Sequence, residues 1–153
     1  MSTTPSFRPI SPRRRPGRTS VTAPYRPERS SPFTIIEQAQ QGVSTPQVDQ
    51  LSTLLGLSLK QLAAILQLAE RTLHRFRSEG RLDAQASERL LLLENLAAHG
   101  LQVFDGRTEA LQAWLRHPLR ELKHQAPVDL LTTISGFTLV DDVLTRIEYG
   151  VYA

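Results

Sequence analysis

The sequence predicts an all-α protein, because apolar residues recur at helical spacing after residue 44 and no segment alternates polar and apolar residues as strands do. Glycine and proline lie between the periodic segments, where helices end and begin. The chain of 153 residues has no cysteine, which excludes a disulfide framework, a thiolate metal site and a cysteine nucleophile. We therefore expect one small helical domain or two very small ones.

The first 44 residues differ in composition from the rest of the chain. Eight of the ten prolines lie by position 46, and seven arginines accompany only two glutamates before position 45. Such a segment buries too little apolar surface to offset the entropy of ordering it, so we predict a disordered basic tail over residues 1–44. The tail is interpreted either as an inert extension or as an arm that binds DNA phosphates. The arginines that would form this arm are Arg13, Arg14, Arg15 and Arg18.

Three short helices are predicted after this tail. The first is opened by Ser44 or Thr45 and runs to Leu54, with Gly56 as its end. The second is opened by Ser58 as N-cap, and its apolar face repeats at i, i+3, i+4 and i+7. The third ends at Gly80. The apolar positions of the three helices are Val48, Leu51, Leu55, Leu59, Leu62, Ala63, Leu66, Leu73 and Phe76.

The second and third of these helices have the layout of a helix-turn-helix. Ala63 is the small residue that a helix crossing needs, and Leu73 lies ten positions later as its hydrophobic partner. Gln67 replaces the usual turn glycine, and Ala69 replaces the usual Ser or Thr cap. We expect Gln67 to adopt a left-handed or otherwise costly conformation, and each departure to cost about 1 kcal/mol.

Basic charge is concentrated in this hairpin. Residues 60–81 carry a net charge of +3, whereas residues 45–153 as a whole carry −2. We predict that the third helix reads DNA, although an ordinary hairpin with a solvated basic face is the alternative. The predicted base-reading residues are Arg71, His74 and Arg75, with Ser78 at the edge and Lys60 and Arg77 on phosphates.

The second half of the chain predicts further helices. The longest runs from Ala84 to about Phe104, and its leucines cover so much of the circumference that we expect a second protomer to bind them. Short helices follow over residues 108–115 and 127–134, the latter closed by Gly136, and a last helix runs from Thr138 to Tyr149. The residues expected to mediate self-association are Leu91, Leu92 and Leu96. The last helix is expected to bury Val140, Val143, Leu144 and Ile147.

No arrangement of residues indicates catalysis. The four histidines include no i, i+4 pair, which makes a zinc site improbable, and the glycines never form a phosphate-binding loop. Asp141 and Asp142 are adjacent and diverge on a helix, so they suit a solvated face better than paired acid and base. We predict a non-enzyme without metal, cofactor or small-molecule substrate. The absence of a long apolar run predicts no membrane association.

Five segments of the second half together resemble the Xre/ParS/MbcA-type antitoxins of bacterial toxin–antitoxin modules. They are Ser87–Leu90, Ala113–Pro118, the turn Leu122–Pro127, Pro127–Gly136 and Leu144–Ala153. The resemblance covers roughly residues 45–153. It implies an Xre-like helix-turn-helix at 45–82 and a dimerising, toxin-binding helical domain at 83–153, following the tail at 1–44. It also implies a partner toxin of the NAD-depleting RES type, autoregulation of the operon, and a cytoplasmic location.

The end of the sequence is the predicted toxin-binding segment. An aromatic residue, an apolar residue and a carboxylate would suit a site that binds NAD, and the resemblance implies that antitoxins of this type obstruct the substrate site of the toxin. The predicted toxin-binding residues are Arg146, Glu148, Tyr149, Gly150, Val151, Tyr152 and Ala153, with Arg146 and Glu148 on the outer face of the last helix. Alternatively, the tyrosines cover the protein's own core. The predicted partners are thus the toxin, operator DNA and a second copy, and the alternative function is a stand-alone dimeric helix-turn-helix regulator.

Overall fold

The computed structural model describes residues 24–150, and within this range it contains eight α-helices and no strand. The all-α prediction is therefore confirmed. The helices are α1 (Pro32–Gln41), α2 (Thr45–Leu55), α3 (Leu59–Leu66), α4 (Glu70–Glu79), α5 (Ala84–Val103), α6 (Thr108–Arg116), α7 (Pro127–Leu130) and α8 (Ile134–Glu148), with a 3₁₀ turn at Arg120–Leu122. The predicted arm arginines lie outside the described residues.

Helices α2, α3 and α4 begin and end where the capping residues predict. Ser58 forms a capping box with Gln61, in which each side chain accepts a hydrogen bond from the backbone of the other residue. Gly56 and Gly80 both adopt left-handed conformations after α2 and α4. These local signals are independent of tertiary contacts, which explains why the sequence alone predicts the three helices well.

Helix α1 corrects the prediction that residues 1–44 form one disordered tail. Ser31 caps the helix by accepting from the backbone N–H of Thr34, and Pro32 occupies its first position. Ile35 and Ala39, one turn apart, are buried, and α1 packs along α5. The abundance of proline and arginine across the whole segment conceals this short amphipathic stretch, whose stability comes from docking rather than from composition.

Helix α5 is the centre of the fold, in contact with α1, α3 and α8. This arrangement corrects the prediction that Leu91, Leu92 and Leu96 face outward to bind a second protomer. Leu91 is 1% exposed and Leu96 is 5% exposed within the single chain, while Leu92 is partly buried against the same core. The apolar circumference of α5 is covered by helices of its own chain, including α1, which the sequence did not predict.

Residues 24–31 precede α1 and contact α5. The hydroxyl of Tyr25 donates a hydrogen bond to Glu94 at 3.1 Å. The backbone N–H of Ser30 donates to Oδ1 of Asn95 at 2.7 Å, and the side-chain amide of Asn95 donates back to the carbonyl of Ser30 at 3.1 Å. Burial and the neighbouring Glu94 carboxylate raise the pKa of Tyr25 well above its ordinary value. The segment is therefore held to α5 by side-chain contacts before α1 begins.

Gly136 lies inside the first turn of α8, which corrects the prediction that it closes the preceding helix. Its backbone N–H donates to the hydroxyl of Thr133, the N-cap of α8. A Cβ at this position would lie 1.6 Å from the carbonyl oxygen of Leu130 at the end of α7. Glycine is therefore required for close approach between two helices rather than for a helix end.

The buried face of α8 is as predicted. Val140 and Leu144 are fully buried, Val143 is buried, and Ile147 packs against the same core. This face anchors α8 on α5 and leaves the opposite face exposed. The last turn of α8 thereby presents its end at the protein surface.

Candidate functional site

The helix-turn-helix geometry is built by α3 and α4. Ala63 and Leu73 are both buried where the two helices pack, as the spacing predicts. Gln67 takes the left-handed conformation expected of it, with φ 56°, and its side-chain amide donates to the carbonyl of Ala64 at 2.8 Å. Ala69 provides no side-chain cap to α4. The turn is thus formed without glycine, with a side-chain hydrogen bond that offsets part of the conformational cost.

The exposed face of α4 carries four of the predicted DNA-binding residues: Arg71, His74, Arg75 and Ser78. Within residues 24–150, the side chains of Arg71 and His74 make no hydrogen bond or ion pair. Arg75 lies 3.8 Å from the carboxylate of Glu79, and its guanidinium is 5.3 Å from the ring centroid of Phe76. A basic helix face of this kind has the size and charge to enter a DNA major groove.

Two other predicted DNA-binding residues lie apart from this face. Lys60 is exposed in the first turn of α3. Arg77 forms an ion pair with Asp49 of α2, and its Nε is buried without a hydrogen-bond partner among the described residues. Arg77 therefore lies on the side of α4 that faces α2, and we no longer expect it to contact phosphates.

The end of α8 presents three of the predicted toxin-binding residues to solvent. Arg146 and Gly150 are exposed, and Tyr149 is 73% exposed, which argues against the alternative that this tyrosine covers the protein's own core. The remaining predicted residues, Val151, Tyr152 and Ala153, lie outside the described residues. The exposed aromatic and cationic side chains provide a contact surface that α8 holds rigidly up to its last turn.

The sequence predicts that Glu148 flanks the exposed residues of α8; the residue is exposed, but its carboxylate contacts α5. Its carboxylate accepts a hydrogen bond from Nε2 of Gln102 at 2.9 Å and lies 3.0 Å from Nε2 of His99. Both partners belong to α5. Glu148 thus contacts the protein itself instead of flanking the exposed residues of α8.

His99 is a buried polar residue whose partners the spacing of the histidines does not predict. It is 1% exposed, its Nδ1 lies 2.6 Å from Asp141, and its Nε2 faces Glu148. The signal available in the sequence was the seven-residue interval between these two acids, which places both on one face of α8. Their common partner on α5 depends on helix packing, which spacing alone does not reveal.

The structure adds two observations on the remaining function classes. Among residues 24–150, no group of three or more His, Asp or Glu side chains is arranged to hold a metal ion. No helix in the same range is both long enough and apolar enough to cross a membrane.

The chain matches two family models, and the boundary between the two matches lies within α5. Residues 34–95 match the antitoxin Xre-like helix-turn-helix domain, and residues 99–150 match the antitoxin Xre/MbcA/ParS C-terminal toxin-binding domain. The first match begins within α1 and includes most of that helix, and the second begins at His99. Together the models span nearly all of the described residues.

Three curated proteins are similar to the chain, two of them over most of its length and one over about half. An Antitoxin Xre of Yersinia enterocolitica is 24% identical over 120 residues, which are 78% of this chain and 81% of that protein. An Antitoxin Xre of Photorhabdus laumondii is 29% identical over 73 residues, or 48% of this chain and 49% of that protein. A Prs ADP-ribosylating antitoxin of a Sphingobium species is 28% identical over 134 residues, or 82% and 84%. With a helix-turn-helix and a toxin-binding domain in one chain, the protein belongs to the Xre-type antitoxins.

Proposed function

We propose that this antitoxin neutralises a cognate toxin of the NAD-depleting RES type and represses its own operon by binding operator DNA. The observation that carries the proposal is the presence of two separate exposed surfaces: the basic face of α4 and the end of α8. The basic face of α4 suits a polyanion such as DNA, and the end of α8 suits a pocket on a partner protein. The chain acts by binding, in the bacterial cytoplasm, and catalyses no reaction of its own.

The DNA-binding half of the proposal rests on the α4 face. Arg71 and His74 contact base edges, since neither has a competing partner among the described residues, and Arg75 and Ser78 extend the face over the next turn. Lys60 contacts a phosphate from the first turn of α3. Arginine is the residue that most often reads guanine, because its guanidinium matches the O6 and N7 acceptors.

The toxin-binding half rests on the end of α8 and the residues after it. Arg146 and Tyr149 supply a cation and an exposed ring, and Gly150, with φ 64°, allows the chain to change direction beyond the helix. Residues 151–153 follow from there into the substrate site of the toxin. The RES assignment is supported by the family resemblance, and a relative named for ADP-ribosylation is compatible with it because transfer of ADP-ribose consumes NAD.

We further propose that the protein is a homodimer that associates through α1 rather than α5. Phe33 and Ile36 lie one turn apart on the outer face of α1 and are 86% and 53% exposed. Large apolar side chains grouped in this way are typical of association surfaces. A two-fold dimer would present two α4 helices to a palindromic operator.

Co-expression of the chain with the protein encoded by the neighbouring gene tests the function. We expect the two proteins to copurify. The neighbouring protein should lower cellular NAD and slow growth when it is expressed alone, and should do neither when the antitoxin is expressed with it. Binding to the DNA upstream of the operon is measured by gel shift with the same preparations. DNA binding without a copurifying toxin would instead support the stand-alone regulator.

A further inference from the structure

A short basic segment lies at the end of α6 and in the turn after it. Residues 116–124 contain three basic residues, Arg116, Arg120 and Lys123, and a single acidic residue, Glu121. All three basic residues are exposed. The surrounding part of the chain, residues 99–150, has five basic and seven acidic residues. Positive charge is therefore concentrated locally, in a part of the chain that is acidic as a whole.

The first residue of this segment contacts the helix-turn-helix half of the protein. The guanidinium of Arg116 donates to the carbonyl of Gly56, which ends α2. Gln112, one turn earlier in α6, donates to the carbonyl of Leu54 at 2.8 Å. Only two residues separate Gly56 from α3, whose first turn carries the exposed Lys60. The basic segment thus begins beside the loop that leads into the helix-turn-helix.

The length of the segment matches the spacing of phosphates on DNA. Arg120 follows Arg116 by four residues, so their Cα atoms are at most about 14 Å apart. Phosphates of one strand succeed each other at about 3.4 Å along the duplex axis, so this distance corresponds to about four nucleotides. A strand that passes Lys60 can therefore continue along residues 116–124.

A 3₁₀ turn places Arg120 and Lys123 next to each other. Leu122 is buried, and the backbone N–H of Lys123 donates to the carbonyl of Arg120 at 3.2 Å. Three residues complete one turn of a 3₁₀ helix, so these two basic residues occupy neighbouring positions. Within residues 24–150, their side chains make no hydrogen bond or ion pair. Both cations are therefore available to bind an anion.

The backbone of this turn is strained at two adjacent residues. Lys123 and His124 have φ of 54° and 60°, in the left-handed region that glycine adopts at little cost and other residues adopt at a higher one. The loop is closed by hydrogen bonds from the N–H of His124 to the carbonyl of Leu119 at 2.9 Å and from the N–H of Leu119 to the carbonyl of Gln125 at 3.1 Å. Glycine would form the same turn with less strain. Strain of this kind is concentrated at functional sites, which indicates a role for the two side chains.

We propose that residues 116–124 form a second DNA-contacting surface, in which Arg120 and Lys123 bind phosphates beside those that α3 contacts. The inference rests on the proposed binding of operator DNA by α4. Phosphate contacts position a protein on DNA without reading its sequence. The C-terminal half therefore increases affinity for every DNA sequence alike, whereas α4 provides the specificity.

The salt dependence of DNA binding by the full chain tests this surface. The two probes are the DNA upstream of the operon and a duplex of the same length with a shuffled sequence. For Lys123→Gly and for Arg120→Ala, we expect the slope of log affinity against log salt to become shallower by about 0.9 on both probes, the value for one lost phosphate contact. The ratio of the two affinities should not change, unlike the ratio in Arg71→Ala.

Three controls separate a lost phosphate contact from a damaged fold or a general loss of charge. Lys123→Gly should melt at the temperature of the parent or above it, because glycine relieves the left-handed strain. Lys123→Arg keeps the cation and should keep the slope of the parent. Arg107→Ala removes one positive charge at an exposed position at the opposite end of α6, and its slope should equal that of the parent.

The outcomes distinguish this inference from the proposed function. If the parent binds the operon DNA and both Arg120→Ala and Lys123→Gly keep its slope, the second surface is overturned while operator binding by α4 stands. If these variants keep the slope but bind the neighbouring gene's protein more weakly, residues 116–124 contact the toxin instead of DNA. If the parent binds neither duplex, the proposed DNA binding is overturned, and the inference with it.

Discussion

The guanidinium of Arg77 in α4 is paired with the carboxylate of Asp49 in α2, which ties the second helix of the helix-turn-helix to the helix before the hairpin. The two residues are 28 positions apart, so this contact forms only when α2, α3 and α4 are assembled. It removes one arginine from the basic surface and uses it to hold α4 in place. The remaining basic residues of α4 are thereby presented at a defined angle.

Breaking this pair should reduce stability modestly. In Asp49→Ala we expect the free energy of unfolding to fall by about 1 kcal/mol, because both side chains are partly exposed and exposed ion pairs contribute little. Urea denaturation measures the change. Glu79→Ala is the control, since Glu79 pairs with Arg75 at the longer distance of 3.8 Å on the surface of α4. Equal losses in the two variants would show that the Asp49 pair has no special structural role.

Arg71→Ala should weaken specific operator binding more than non-specific binding. A guanidinium that contacts a guanine edge contributes about 1–3 kcal/mol of discrimination, whereas loss of a phosphate contact affects all sequences alike. Gel-shift titrations on operator and unrelated DNA measure the two affinities. Arg120→Ala removes the same charge at an exposed position far along the chain and should leave the ratio unchanged. An equal loss of affinity for both DNAs would show that Arg71 contacts a phosphate and not a base.

Two N-terminal deletions should have different effects. Removal of residues 1–23 should leave the fold intact and reduce the salt slope of DNA binding by about 0.9 for each arginine that meets a phosphate. Removal of residues 1–40 also removes Ile35 and Ala39 from the surface of α5, and we expect it to lower the free energy of unfolding by roughly 3 kcal/mol. Thermal unfolding and binding at several salt concentrations distinguish these outcomes. An unchanged salt slope in the shorter deletion would leave the first segment as an inert extension.

Phe33→Glu should convert the proposed dimer to a monomer, because the substitution places a charge in the apolar surface of α1 without altering its buried face. Sedimentation velocity measures the oligomeric state. Leu139→Glu, on the exposed side of α8 with half of its surface accessible, is the control and should sediment like the parent. Dimerisation by Phe33→Glu at the same concentration as the parent would exclude α1 as the interface.

A chain that stops after Gly150 should fold and bind operator DNA but no longer protect cells from the toxin. The truncation retains α8 and its contacts with His99, so stability should change by less than about 0.5 kcal/mol. Growth with co-expressed neighbouring protein measures protection, and circular dichroism checks the fold. Full protection by the truncated chain would rule out residues 151–153 as the inhibitory segment.

The sequence predicts local features of this fold better than tertiary ones. The positions of α2 to α5 follow from Ser58, Gly56, Gly80 and the apolar spacing, since caps and amphipathic faces act within one helix. Helix α1 was missed because its stability depends on docking onto α5. Without α1, the leucines of α5 have no partner helix in the predicted fold. The prediction that Leu91 and Leu96 face a second protomer was therefore wrong.

The candidate site residues likewise divide into those that helical spacing predicts and those whose contacts depend on tertiary packing. The shared face of Arg71, His74, Arg75 and Ser78 follows from helical periodicity, and the structure brings these residues together. The side-chain contacts of Arg77 and Glu148 could not be predicted in this way, because their partners lie 28 and 49 residues away along the chain. Only the packing of α2 on α4 and of α5 on α8 brings these charges together.

The residues just before α2 and just after α4 lie side by side. Ser44 and Arg81 form an isolated bridge, the N–H of Leu82 donates to the carbonyl of Val43, and the guanidinium of Arg81 donates to the carbonyls of Gln41 and Gly42. The chain therefore enters and leaves the three helices at adjacent positions, while α2 and α3 also pack against α5. Under the proposed function, substitutions on the exposed face of α4 can therefore change which DNA is bound without disturbing these closing contacts or the C-terminal toxin-binding domain.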